Sequence, residues 1–383
     1  MRIAYIYTAL TTVGGADRVI TEKANYLAGL PGYEVYVITD SQEGRTPVFP
    51  LSPKVKHIDL NIRFGRQYKH QFLLRTIYYI LLMREYKLKL LKTLREISPD
   101  ISISALGRET DFFYSLPDKS IKIAESHISR QHIRNFHLME QQQFPYPLIA
   151  GIWRKKMDKA VKKLSAFIVL TKADAEKWEP VRKSVVIPNA LPFFDERRST
   201  CTNKKIICVG RLNEQKGYDR FIEAWALVAP KHPDWSVYIY GNGELEDVLR
   251  KDIHQRGLDA NIFIEKPVSN IVDKYLESSI CVMASRFEGF GMALAEAMAC
   301  GVPCVSFDCP YGPADIISDG NDGLLVENND TTEMAEKISY LIENEDVRKE
   351  MGNRAKSNIS RYKPDIVMKH WTDLFSELKK TVE

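Results

Sequence analysis

The stretch Ser285-Arg286-Phe287-Glu288-Gly289-Phe290-Gly291-Met292-Ala293-Leu294-Ala295-Glu296-Ala297-Met298-Ala299-Cys300-Gly301-Val302-Pro303 sets two carboxylates, Glu288 and Glu296, eight positions apart around a Gly-Phe-Gly turn. Gly289 and Gly291 permit positive φ or close backbone approach, which places Glu288 in a loop; Met292 to Cys300 reads as an alanine-rich helix closed by Gly301 and Pro303. On one continuous helix the two glutamates would lie roughly 12 Å apart along the axis, too far for the paired carboxylates of a glycosidase. The loop removes that constraint. It also leaves the backbone N–H groups of 289–292 aimed at any anion lying before the helix, and phosphate is the anion that suits them.

Outward from this motif, strand-like and helix-like segments alternate. Ile3 to Tyr7, a loop at Thr11 to Ala16, a helix to about Ala28 and Glu34 to Thr39 form a β-loop-α-β unit. The second half opens the same way, with a strand at Lys205 to Val209, a loop at Gly210 to Gly217, a helix at Tyr218 to Val228 and a strand ending at Gly241-Asn242-Gly243. Two tandem parallel α/β domains follow, and 383 residues with 44% apolar content suffice to give each a core. The boundaries fall at 1–188 for the first domain, 189–204 for a polar linker and 205–363 for the second. The amphipathic helix of 364–383 often returns to the first domain in two-domain folds of this type.

A net charge of +4 and the lack of a Lys/Arg stripe interleaved with aromatics give no reason to expect nucleic-acid binding. The charge is concentrated, however. Residues 63–95 hold nine Lys/Arg against one acid, Glu85, and a second basic run occupies 153–163. These are either solvated helix faces or a surface that rests on anionic lipid. The longest apolar run, Phe72 to Met83, contains Arg75 and is too short to cross a bilayer, and the N-terminus reads as a first strand with no signal-peptide cleavage site. Six cysteines, all in the second half, suggest reduced, buried thiols in a cytoplasmic protein, and their spacing does not suit zinc.

Gly14-Gly15 after strand one, Asn189 at the junction, Gly210-Arg211-Leu212 with Lys216-Gly217, and the Glu288/Glu296 pair together resemble the family 4 glycosyltransferases of the GT-B fold. The resemblance covers nearly the whole chain. It implies an α/β architecture of two Rossmann-like domains facing each other across a cleft, an acceptor-binding domain first and a nucleotide-sugar-binding domain second. By the same resemblance Glu296 grips ribose hydroxyls and Glu288 sits near the donor sugar. The backbone of Phe290, Gly291 and Met292 meets sugar and phosphate, the backbone of Val268 meets the base, Gly241 and Gly243 border the same pocket, and Gly210 is counted with the donor-binding residues. Arg211 and Lys216 supply the cations a diphosphate needs, a planar fork and a point charge. Gly14 and Gly15 close over donor or acceptor, and His127 binds a sugar hydroxyl or acts through its backbone at the reaction centre.

Lys172 either helps neutralise an acceptor diphosphate or follows a Thr171 helix cap. Cys309-Pro310-Tyr311-Gly312-Pro313 either shapes the donor pocket or is only a tight turn. Asp40 ends strand two as a dinucleotide-binding acid would, but without Gly-x-Gly-x-x-Gly a dehydrogenase is disfavoured. No Asp-x-Asp occurs, and the resemblance implies neither a metal nor a resident cofactor.

The expected function is a metal-independent, retaining hexosyltransferase working from a UDP-sugar. Its acceptor is lipid-linked or polysaccharide, in lipopolysaccharide, capsule or exopolysaccharide synthesis, and its place is peripheral on the inner face of the cytoplasmic membrane. The alternatives are a GT-B epimerase or phosphorylase, or a non-catalytic nucleotide-sugar or glycan-binding module.

Overall fold

A computed structural model of the chain describes residues 1–12, 14–69 and 71–382, with the backbone alone at Phe72, Leu73, Asn135 and Val382. Glu383, the last residue of the predicted terminal helix, lies outside the described residues. The chain divides into two compact units, Met1–Pro188 with Pro364–Glu383, and Asn189–Lys363.

In the first unit the strands are β1 Arg2–Tyr7, β2 Glu34–Thr39, β3 Val55–Asp59, β4 Ile101–Ser104, β5 Ile121–Glu125, β6 Ala166–Val169 and β7 Val185–Val186. They form one sheet in the order β3-β2-β1-β4-β5-β6-β7, parallel throughout. In the second unit β8 Lys205–Val209, β9 Ser236–Tyr240, β10 Ile262–Glu265, β11 Ile280–Met283, β12 Cys304–Phe307 and β13 Gly323–Val326 form a second parallel sheet in the order β10-β9-β8-β11-β12-β13. Central strands such as Ile101–Ser104 and Ile280–Met283 are buried at every residue, as strands covered by helices on both faces must be. Both units are Rossmann-like.

The topology locates the places where a ligand fits. Strand order reverses between β1 and β4 and again between β8 and β11, where connections leave toward opposite faces and open a crevice at the carboxyl edge. Gly14-Gly15 and the loop of 210–217 follow β1 and β8, the strands at these two points.

Two boundary features have clear causes. The helix Pro364–Val382 belongs to the first unit because Val367, Met368, Trp371 and Phe375 are buried and Lys379 reaches Asp100 at 3.2 Å. The stretch 189–204, linker-like in composition, is fastened to the second unit. The Leu191 amide donates to Tyr362 O at 2.8 Å, the Ser199 amide to Cys300 O at 2.8 Å, and Arg348 Nε to Cys201 O at 2.9 Å. Leu191 and Cys201 are buried, which polar composition alone does not reveal.

Candidate donor site

The loop of 210–217 and the loop of 285–291 are stitched together. The Arg286 amide donates to Gln215 O at 2.7 Å, Gln215 Nε2 donates to Phe287 O at 3.0 Å, and the Arg286 guanidinium grips Asp219 at 2.6 and 2.8 Å. Across this seam Lys216 Nζ donates to Glu288 Oε1 at 2.6 Å, and Ser285 Oγ donates to the same oxygen at 2.6 Å. The two charged side chains are 17% and 9% exposed, so solvent screens them little. Glu288 therefore already has a cation partner. Arg211 is exposed and, among the described residues, makes only a 3.5 Å contact with Gln215 Oε1, which leaves its guanidinium available to a ligand.

The glycines have tightly defined roles. A Cβ on Gly210 would sit 2.9 Å from Lys216 Cε, so its absence lets the lysine side chain cross the strand end. Gly217 is left-handed, with φ 62°, and a Cβ there would lie 2.1 Å from Ala284 O. Gly241 is bare because Gly210 O passes 2.0 Å from its Cβ position, and the neighbouring Leu212 amide donates to Asn242 O at 2.8 Å. Close backbone packing thus accounts for Gly241, whether or not it also borders a ligand. Gly312 is likewise bare beneath Phe290 O, 2.0 Å from its Cβ position, so the turn of 309–313 braces the loop that carries Glu288.

Gly291 caps the helix Met292–Ala299 in the left-handed region, φ 103°. Among the described residues the amides of Gly291, Met292 and Ala293 have no recorded acceptor, as expected for a first helical turn. The Phe290 ring is buried against Tyr362 at 5.2 Å, so only its backbone is offered to a ligand. Glu296 is buried on the same helix and accepts from Tyr275 Oη at 3.1 Å; burial, then the adjacent carboxylate, raises the tyrosine's pKa and keeps it a donor. Val268 is half-buried just beyond β10.

In the first unit Gly14 caps the helix Gly15–Gly29. His127 Nε2 lies 2.9 Å from Glu125 Oε1, and the other Glu125 oxygen takes the ammonium of Lys23. Burial pushes Glu125 up, but Lys23 and His127 outweigh it and hold the carboxyl at about 2. Lys23 escaped the sequence reading. The signal was present, since Lys23 occupies an apolar helix face with Val19, Ile20, Ala24 and Leu27. Thr171 caps the helix Lys172–Trp178, accepting from the Asp174 amide at 3.2 Å. Asp40 is buried beside Arg108, and burial, partly offset by Ser41 and Arg108, raises it to about 7.

Six of the nine cations of 63–95 lie on the helix Phe72–Ile97 of the first unit, Arg63, Arg66 and Lys69 preceding it, and the second basic run lies on Tyr146–Lys162 and its cap Lys163. The first buries Leu82, Tyr86, Leu90 and Leu94 and exposes an opposite stripe of Leu74, Ile77, Leu81, Arg84, Leu88 and Arg95. The second exposes Leu148 and Ile152, followed on the same stripe by Lys155, Lys159 and Lys162. Each stripe is apolar in its first turns; the second is basic in its last, and the first sets Leu88 between Arg84 and Arg95. Because each helix returns between parallel strands, its first turns lie at the carboxyl edge of the sheet. Among the described residues no helix is long and apolar enough to cross a membrane.

Residues 193–358 match the family Glycosyl transferases group 1. Over 222 residues the chain is 36% identical to an exopolysaccharide phosphotransferase of Streptomyces coelicolor, covering 56% of this chain and 24% of that protein. Over 385 residues, 99% of both chains, it is 26% identical to a Campylobacter jejuni enzyme named GalNAc-alpha-(1->4)-GalNAc-alpha-(1->3)-diNAcBac-PP-undecaprenol alpha-1,4-N-acetyl-D-galactosaminyltransferase. A crystal structure of Staphylococcus aureus TarM in complex with fondaparinux, alpha-GlcNAc-glycerol and UDP aligns with a TM-score of 0.79 at 17% identity, over 98% of this chain and 100% of that one. The fold is GT-B. In this GT-B chain the matched segment lies within the second unit and contains Arg211, Lys216, Glu288 and Glu296. The chain spans 24% and 44% of the length of two curated relatives that it matches at 36% and 32% identity.

Proposed function

We propose that this chain is a retaining glycosyltransferase that moves a hexose from a UDP-sugar onto a lipid-linked or polysaccharide acceptor in surface-glycan synthesis. The observation that carries the reading is the cluster at the β8/β11 switch point: exposed Arg211, Lys216 bonded to Glu288, and buried Glu296 bonded to Tyr275. The UDP complex of TarM and the undecaprenol-linked acceptor in the name of the Campylobacter relative support the donor and acceptor classes.

Arg211, Lys216 and the first-turn amides of Met292–Ala299 would neutralise the diphosphate without a metal. Glu296 would accept both ribose hydroxyl protons, and Glu288 would face the donor sugar. Glu288 Oε1 is already engaged by an ammonium and a hydroxyl. That engagement lowers its nucleophilicity and favours same-face attack, in which the departing diphosphate accepts the acceptor's proton. The exposed stripes on Phe72–Ile97 and Tyr146–Lys162, apolar in their first turns and carrying cations further on, would rest on anionic lipid at the inner face of the membrane, with their apolar turns beside the first unit's ligand edge. Glu296→Ala and Lys216→Ala should each reduce sugar transfer about a hundredfold with folding intact. Near-normal turnover in either variant rejects the donor-site assignment. A non-catalytic binding module would bind UDP-sugar and release no UDP.

A further inference from the structure

The Lys23, Glu125 and His127 array is built more completely than hydroxyl binding by a lone histidine requires. Its members come from separate segments: the helix Gly15–Gly29, the last residue of β5, and the loop after it. Their side chains are 4%, 0% and 7% exposed. The rings of Trp371 and Tyr5 wall the ammonium at 4.5 and 5.9 Å. Glu125 spends one oxygen on Lys23 and the other on His127 Nε2. The remaining ring nitrogen, Nδ1, is buried and has no hydrogen-bond partner among the described residues. Such orphaned polar atoms are rare and call for a reason.

An ionised carboxylate only accepts hydrogen bonds, so Nε2 must carry a proton and Nδ1 of the neutral ring holds its lone pair. A protonated Glu125 would donate to Nε2 and reverse this, placing an unpaired N–H on buried Nδ1 instead. Burial favours that protonated form, and the Lys23 charge opposes it. We propose that Glu125 and Lys23 are positioning residues that fix the tautomer and orientation of His127, leaving on buried Nδ1 a lone pair in place of an N–H that would lack an acceptor. The part His127 plays in sugar transfer rests on the glycosyltransferase reading; the tautomer does not.

The test is 15N-resolved NMR of the full chain with labelled histidine and no substrate, His127 being assigned by its loss in His127→Gln. The expected spectrum shows a slowly exchanging, downfield proton on Nε2 and an unprotonated Nδ1. In Lys23→Met/Glu125→Leu, which replaces the buried pair with apolar side chains, that proton should lose its downfield shift and slow exchange. The turnover of sugar transfer should fall about tenfold, while UDP affinity, which belongs to the second unit, stays unchanged. Glu125→Gln supplies the same spectral test if the double variant does not fold, because a neutral amide accepts more weakly and the shift should shrink. A proton on Nδ1 in the unmodified chain, an unaltered Nε2 proton in the variants, or unchanged turnover overturns the proposal. Failure of the unmodified chain to transfer any sugar would instead overturn the proposed reaction, with the tautomer still decided by the spectrum.

Discussion

Replacing Glu288 with Gln should tighten UDP binding while suppressing transfer. Lys216 Nζ sits 2.6 Å from Glu288 Oε1, so the ammonium assigned to the diphosphate is shared with a carboxylate. A phosphate oxygen bonded to the same ammonium at about 2.8 Å would lie no more than about 5.4 Å from that carboxylate oxygen. Two negative charges at this range repel by about 3 kcal/mol at an effective dielectric of 20 and about 1.5 kcal/mol at 40. The side chains, 17% and 9% exposed, lie in the regime where such values apply. Glu288→Gln removes the charge but keeps an oxygen to accept from Ser285. Calorimetric titration should therefore show UDP binding about ten- to a hundredfold tighter. Sugar transfer by the same protein should fall about a hundredfold, because the carboxylate facing the sugar is gone. Equal or weaker UDP affinity in a folded Glu288→Gln protein would show that the diphosphate does not sit on Lys216.

Asp40, raised to about 7 chiefly by burial, predicts a pH-dependent stability. Because its folded-state value lies above the ordinary carboxylate range, its contribution is complete below about pH 4 and is lost as pH rises through 7, by at most about 1.4 kcal/mol per unit. Asp40→Asn should flatten denaturant stability between pH 4 and 8; an unchanged slope would assign the dependence elsewhere, with Asp174, raised to about 6 by burial, the next group to substitute. Sedimentation with anionic liposomes should be salt-sensitive, and Leu81→Glu together with Arg84→Glu on the exposed stripe should abolish it. Absent binding, or binding insensitive to salt, contradicts the membrane reading.

Much of the fold was legible because parallel strands buried on both faces leave unmistakable runs such as Ile206-Ile207-Cys208, and the glycines punctuate them. The Gly-Phe-Gly turn likewise announced a loop-to-helix junction. The pairings between distant segments were not legible. Lys216 and Glu288 are 72 positions apart, and nothing in either loop states that one carboxylate neutralises the other cation. Gly241 read as a pocket border, and the carbonyl that passes its Cβ position, which requires a glycine whether or not a ligand lies beside it, was not legible. Residues 189–204 looked like a linker because their polar side chains hide Leu191 and Cys201, which anchor the segment. Lys23 was passed over because a lysine in a helix is ordinarily solvated. Only its position among Val19, Ile20, Ala24 and Leu27 marks it as buried, and its partner lies 102 residues away.

The most direct test of the central claim is to incubate the chain with a panel of UDP-hexoses and undecaprenol-linked or oligosaccharide acceptors, to measure acceptor-dependent UDP release, and to determine the anomeric configuration of the product by NMR. The account predicts UDP release that requires acceptor and persists in excess chelator, with the donor's α configuration kept in the product. Inverted configuration contradicts the proposed same-face mechanism, and UDP-sugar binding without acceptor-dependent release contradicts the assignment as a transferase.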